Sequence, residues 1–276
     1  MRHRILYWSS HYLLIGLYVL FALFPLYWLV KVALTPNDLL YSEGIRWWPS
    51  RASFEHFSFV LSHSEFPLFF RNSLIVSSAT SILVTLLSSA CGYGLSRFTF
   101  RGKPVLVALM LITQMFPLVM LVAPMFRLLA PLGLTNSLTG LVIVYTAFNA
   151  PFATFLMQSF FDAVPKELEE AAMIDGATRF GAFRRIILPL TLPGIAATAG
   201  FVFTAAWSEL LFALMLNSSS QASTFPVGLL SFVSKFSIDF GQMMAAGVLA
   251  LIPALLFFLL IQRFLVRGLT AGAVKG

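Results

Sequence analysis

Six apolar runs dominate this chain, at about 12–34, 73–95, 104–127, 136–158, 187–212 and 241–264. Each is about 20 residues or slightly longer, which at 1.5 Å of rise per residue matches a hydrocarbon core roughly 30 Å thick. A soluble fold has no place for so many. The chain is 59% hydrophobic and 11% charged, with 29 Phe in 276 residues, whereas a water-facing surface needs far more charge. The runs predict an all-α integral membrane protein with six transmembrane helices. The first run follows "MRHR", is too long for the apolar stretch of a signal peptide and lacks a small-residue cleavage site. It therefore reads as a membrane helix.

The basic residues set an orientation. Arg2, Arg4, Arg97, Arg101, Lys103, Lys166, Arg179, Arg184, Arg185, Arg263, Arg267 and Lys275 fall in one set of segments. Lys31, Arg46, Arg51, Arg71, Arg127 and Lys235 fall in the other, six against twelve. Positive charge is retained on the cytoplasmic side, so both termini are expected inside and the 35–70 loop outside, with Trp47 and Trp48 as interface anchors. The net charge of +7 is scattered between apolar runs, which argues against a nucleic-acid face. Cys91, the one cysteine, lies in an apolar run and is expected to be a packed, inert thiol.

Between the fourth and fifth runs, acids and arginines crowd together in "EEAAMIDGATRFGAFRRIILPLTLPG", residues 169–194. Pro165 suits the first turn of a helix and Gly176 its end, where a left-handed residue is often needed. Leu168, Ala171 and Ala172 are expected on one face, with Lys166, Glu167, Glu169 and Glu170 covering much of the rest. A second short helix is expected from near Thr178, with Phe180, Phe183 and Ile187 on a common face. Pro189 and Pro193 interrupt the approach to the fifth run. Two readings stay open: a helix seated in a partner's groove, or one lying on lipid headgroups. The net negative charge of the first helix speaks against anionic lipid.

Polar residues inside spans are costly, so each is a candidate for a wet cavity or a helix contact. Gln114 precedes "MFP" and Asn149 precedes Pro151. Glu209 is the one acid within a run, and shares a helical face with Ala205, Val202 and Thr198. That face, with Trp207 as a stacking surface, is a candidate solute route; the alternative is helix–helix bonding for Gln114 and Asn149. The small-residue stretches "SSATS" and "SSACGYG" read as helix-packing faces. The loop from Asn217 to Gln242 suits either a docking surface or a flexible connector. An intramembrane enzyme would need Ser near His or Lys at one depth, yet His3, His11, His56 and His63 all fall outside the runs or at their edge. No cluster has metal-ligand spacing, and Glu209 alone makes a thin case for an ion-coupled carrier.

The charged segment resembles the cytoplasmic signature of inner-membrane permeases of binding-protein-dependent ABC importers: EAA, three residues, Gly, nine residues, Ile, one residue, Leu-Pro. Glu170, Ala171, Ala172, Gly176, Ile186, Leu188 and Pro189 meet every term. "GLTAGAVKG" at 268–276 resembles the tail of carbohydrate permeases of the maltose and trehalose type. "AWSELLFAL" at 206–214 resembles that class's Trp-Asn-Asp/Glu segment, with Ser208 where Asn is usual. The resemblance implies a type I ABC importer transmembrane domain in the bacterial inner membrane, carrying a sugar or, alternatively, an amino acid, peptide or phosphate. It also implies that residues 165–186 are a coupling segment set in a separate ATPase dimer. Glu170 then makes the charged contact, Ala171 and Ala172 the close approach and Gly176 the turn. The tail at Leu269, Thr270, Ala271 and Gly272 also touches the ATPase. A companion permease, which in the maltose-type system makes most sugar contacts, and an extracytoplasmic binding protein complete the set. The chain shows no GxxxxGK[ST] loop, so ATP is left to the partner and no cofactor is expected here.

Overall fold

The computed structural model describes the backbone of residues 2–234 and 237–273, with side chains for 11–234, 237–262 and 264. Apart from one isolated bridge between Val233 and Ile238, the described residues form no β-structure. The chain divides into two units, residues 1–67 with 228–252, and residues 68–227 with 253–276.

In the first unit, α1 (Arg2–Ala33) turns apolar side chains outward along most of its described length. Tyr18 and Phe21 are 72% and 80% exposed, as suits a lipid-facing or partner-facing helix. Beyond it, Thr35 donates to the Lys31 carbonyl at 2.7 Å. His56, on a short helix at Glu55–Ser62, is buried and donates from Nε2 to the Thr35 carbonyl at 2.9 Å. A Cβ at Gly241 would lie 2.3 Å from that imidazole, so only glycine fits.

The second unit is built on α2 (Phe66–Arg97), α3 (Lys103–Met115), α4 (Leu118–Leu129), α5 (Leu138–Asp162), α6 (Glu167–Ile174), α7 (Arg179–Leu190), α8 (Leu192–Trp207) and α9 (Leu211–Leu216). The last long helix is α10 (Phe240–Ala273). Small residues of α2 pack as the sequence suggests. Ser77, Thr80, Ser81 and Ser88 are buried, and Ser81 donates to the Ala199 carbonyl at 2.8 Å. A Cβ at Gly92 would stand 2.8 Å from the Gln158 backbone nitrogen, so α2 and α5 approach closely there. Cys91 departs from expectation. It is exposed rather than packed, although Val84, seven residues earlier on the same helix, is fully buried.

Four described helical segments are long and apolar enough to cross a bilayer unbroken: His11–Ala33, Phe66–Arg97, Leu138–Asp162 and Phe240–Gln262. Two further pairs meet the same test only together and are bent. Lys103–Met115 and Leu118–Leu132 meet at 105°, and Arg179–Leu190 and Leu192–Trp207 at 71°. Hydropathy reads 104–127 as one run, but Phe116 precedes proline and takes an extended ψ of 131°, since the pyrrolidine ring disfavours the helical region for its neighbour. The second bend follows a π-helical turn at Phe183–Ile187. Pro189 has no N–H to continue the α pattern, and Thr191 turns its hydroxyl back on the Ile187 and Leu188 carbonyls at 3.0 and 3.1 Å.

Candidate functional site

The charged segment is a helix, a left-handed turn and a second helix. α6 ends at Ile174, and Gly176, two residues on, has a φ of +88°. Ala177 N donates to Ala172 O at 3.0 Å, and Gly176 N to Met173 O at 3.1 Å, the paired bonds of a Schellman cap. Thr178 then accepts from Gly181 N at 3.1 Å and starts α7, as its residue type predicts.

The faces differ from the sequence reading. Glu169 and Ala172 turn inward and are buried, while Leu168, Glu170 and Ala171 are exposed. Ala172 therefore does not share the outer face with Ala171. Phe180 also parts from its expected neighbours. It is 71% exposed, whereas Ile187 is buried with Met157 and Phe161, and Phe183 packs against that cluster with Ile186. Leu188 is half-buried and Pro189 exposed. The outer surface of the segment thus carries Leu168, Ala171, Ile174 and Phe180 beside Glu167 and Glu170.

What holds Glu169 inside is the end of α2. Arg97 Nε lies 3.1 Å from Glu169 Oε2, with both side chains about 5% exposed (5% and 6%). Tyr93 donates its hydroxyl to the other carboxylate oxygen. The same guanidinium donates to the Val164 carbonyl at 2.9 Å and to Ser96 Oγ at 3.1 Å. Ser96 in turn donates to Asp162 at 2.5 Å. The ring of Tyr93 packs on Phe183 and Phe161, with centroids 4.5 and 5.7 Å apart. A single buried network thereby ties α6 to the ends of α2 and α5. A buried pair is stable only with its remaining donors and acceptors satisfied, and here Arg97 and Glu169 share several partners.

A second locus gathers residues singled out by polarity alone. Gln114, Asn149 and Glu209 line one cavity of about 290 Å³, together with Thr113, Tyr145, Phe148 and Phe212. Tyr145 donates to Glu209 Oε2 at 2.6 Å. The Glu209 carboxylate also accepts from Phe212 N at 3.1 Å and Ala213 N at 3.3 Å, so it caps the start of α9. Asn149 donates to the Tyr145 carbonyl at 2.8 Å and Gln114 to the Phe148 carbonyl at 3.3 Å. Trp207 is not in this wall. It is buried against Phe70, Phe203 and Phe225. Of the expected face, Ala205 reaches the cavity, whereas Val202 and Thr198 are fully buried. Tyr145, missed in the sequence, stands one helical turn before Asn149, a spacing that would have found it.

The start of the Asn217–Gln242 loop is pinned rather than loose. Asn136 Oδ1 accepts from Ser218 N, Ser219 N and Ser219 Oγ at 2.9–3.2 Å. Asn72 donates to the Gln221 and Ser223 carbonyls, each at 2.9 Å. In the tail, Leu269, Thr270, Ala271 and Gly272 continue the backbone of α10. Their side chains, and residues 274–276 altogether, lie outside the described residues.

Four described helical segments long and apolar enough to cross a bilayer, with two bent pairs that meet the same test together, define an integral membrane protein. The chain belongs to the family of binding-protein-dependent transport system inner membrane components, whose profile matches residues 84–271. It is 38% identical over 253 residues to the diacetylchitobiose uptake system permease protein DasC of Streptomyces coelicolor, covering 92% of each chain. It is 36% identical over 269 residues to the trehalose/maltose transport system permease protein MalG of Thermococcus litoralis, covering 96% of each. Its fold matches a chain from the crystal structure of a bacterial ABC transporter involved in import of the acidic polysaccharide alginate. The TM-score is 0.80 at 20% identity, over 95% of this chain and 98% of that one.

Proposed function

We propose that the chain is one of two permease subunits of an ABC importer that moves a sugar or sugar derivative across the bacterial cytoplasmic membrane. The observation that carries this reading is identity of 38% and 36% over nearly the whole chain to saccharide uptake permeases. The cavity at Gln114, Asn149 and Glu209 supports it, since amide, carboxylate and phenol groups between aromatic rings suit a hydroxyl-rich solute. ATP hydrolysis belongs to a separate ATPase dimer, and an extracytoplasmic binding protein delivers the solute. In proteoliposomes holding the chain with these partners, loaded binding protein is expected to stimulate both ATP hydrolysis and uptake of a labelled disaccharide. Glu209→Gln, which keeps an oxygen for capping α9, is expected to lower uptake while assembly persists. Transport of an amino acid or phosphate in place of the saccharide would overturn the assignment.

Each bent pair serves as one span, giving six, with both termini in the cytoplasm. The twelve-to-six distribution of Lys and Arg supports this orientation. It puts the Glu169–Arg97 network and the exposed face of α6 on the ATPase side, where residues 165–186 act as the coupling segment. In a Cys91→Ser background, cysteines replacing Ala52 and Gln221 are expected to react with an impermeant maleimide on intact cells. A cysteine replacing Arg184 is expected to react only after the membrane is opened. Labelling at position 184 from outside would reverse the topology.

A further inference from the structure

We infer that the first unit holds a site for the phosphate of an anionic phospholipid, built on the ammonium of Lys31. Lys31 sits in the last turn of α1 and is 6% exposed. Its side chain faces a cavity of about 530 Å³ lined by Trp28, Tyr41, Ile45, Phe240 and Met244. The ammonium stands 5.1 Å from the centre of the Trp28 ring. Among the described residues it makes no hydrogen bond, and no carboxylate lies within 4.0 Å of it. Glu43 is the acid that feels its charge, but that carboxylate is already engaged by Ser50 N at 3.4 Å and Arg46 at 3.7 Å. Tyr41 is likewise spent, its hydroxyl donating to the Ile238 carbonyl at 3.1 Å.

The ammonium opens on this apolar-walled cavity without a counter-ion, which is costly for a cation. The Trp28 ring and the carbonyl end of α1 offset part of that cost, and neither brings a negative charge. The missing partner is therefore an anion. Its source follows from the walls and the position. The cavity is apolar apart from Lys31 and Tyr41, which suits a glycerol ester and acyl chains below a headgroup better than a free ion that keeps its water. Lys31 lies two residues before the end of the apolar stretch His11–Ala33, whose 23 residues would carry it to the headgroups of a bilayer. The exposed Trp47 and Trp48, of a residue type enriched at that interface, are also in this unit. An ammonium recessed there is open to donate a charge-assisted hydrogen bond to a phospholipid phosphate.

The test uses the full chain extracted from membranes in mild detergent and equilibrated with equal parts phosphatidylglycerol and phosphatidylcholine, bound lipid being counted by native mass spectrometry. The wild-type chain is expected to retain phosphatidylglycerol over phosphatidylcholine by about fivefold, and Lys31→Arg to behave alike. Lys31→Met, which keeps the length of the stem, is expected to lose the preference. Ile45→Glu alters a side chain that is 93% exposed and sets a carboxylate at the cavity, so it too is expected to lose the preference without disturbing the fold. Excess inorganic phosphate is expected to leave the lipid in place. Unchanged preference in Lys31→Met, displacement of the lipid by inorganic phosphate, or loss of a protein partner with lipid retained would each overturn the site.

Discussion

Arg97→Met is expected to destabilise the protein by about 3–5 kcal/mol, and Glu169→Leu added to it to return most of that loss. The reason is the pair's burial, with both side chains about 5% exposed (5% and 6%). Removing the guanidinium leaves the Glu169 carboxylate inside with only the Tyr93 hydroxyl. Removing both charges leaves two apolar side chains in a site walled by Tyr93, Phe161 and Phe183. Thermal unfolding of the two single variants and the double in one detergent decides it, because coupled residues give a non-additive cycle. Additive losses would mean that the ion pair is incidental to the packing. Uptake adds a separate readout. The double variant is expected to stay slow even where its stability returns, since apolar contact replaces a directional strut between α6 and α2.

Glu170→Lys, one residue along, is expected to do the reverse. The side chain is exposed, so unfolding should shift little. Its contact with the ATPase is a charged one in the proposed assembly, and reversing it at a partly buried interface costs about 2–5 kcal/mol, or at least about thirtyfold in affinity. A tagged Glu170→Lys complex is expected to lose the ATPase subunit in detergent. A helix lying on anionic lipid would hold tighter with the added positive charge. Full retention of the ATPase with normal uptake would therefore sink the coupling role.

Adjacent glutamates with opposite fates show which parts of this structure are written locally. The turn at Gly176 and the helix start at Thr178 depend on residues within a few positions, and both were readable. Which glutamate faces inward depends on Arg97 and Tyr93, more than 70 residues earlier, and a helical wheel of α6 holds no trace of them. Likewise the Ser-rich stretch after Asn217 reads as loose because its restraints, Asn136 and Asn72, lie about 80 and 150 residues away. Hydropathy found the apolar runs but averaged over Phe116–Pro117, where one dihedral redirects the chain by 105°. Polarity found Gln114, Asn149 and Glu209. The expectation of Trp207 as a stacking surface for the route failed, because its ring packs on Phe70, Phe203 and Phe225 rather than in the cavity.

The break at Phe116–Pro117 also bears on the cavity. The last four carbonyls of a helix have no donor within it, and hydrocarbon does not tolerate open backbone unless protein or water meets it. Here Thr113, Gln114, Phe116 and Leu118, on both sides of the break, line the cavity. Residues on both sides of the break thus border a polar space rather than hydrocarbon alone. In the proposed transport role, backbone at the break would offer a solute acceptors that no side-chain substitution removes.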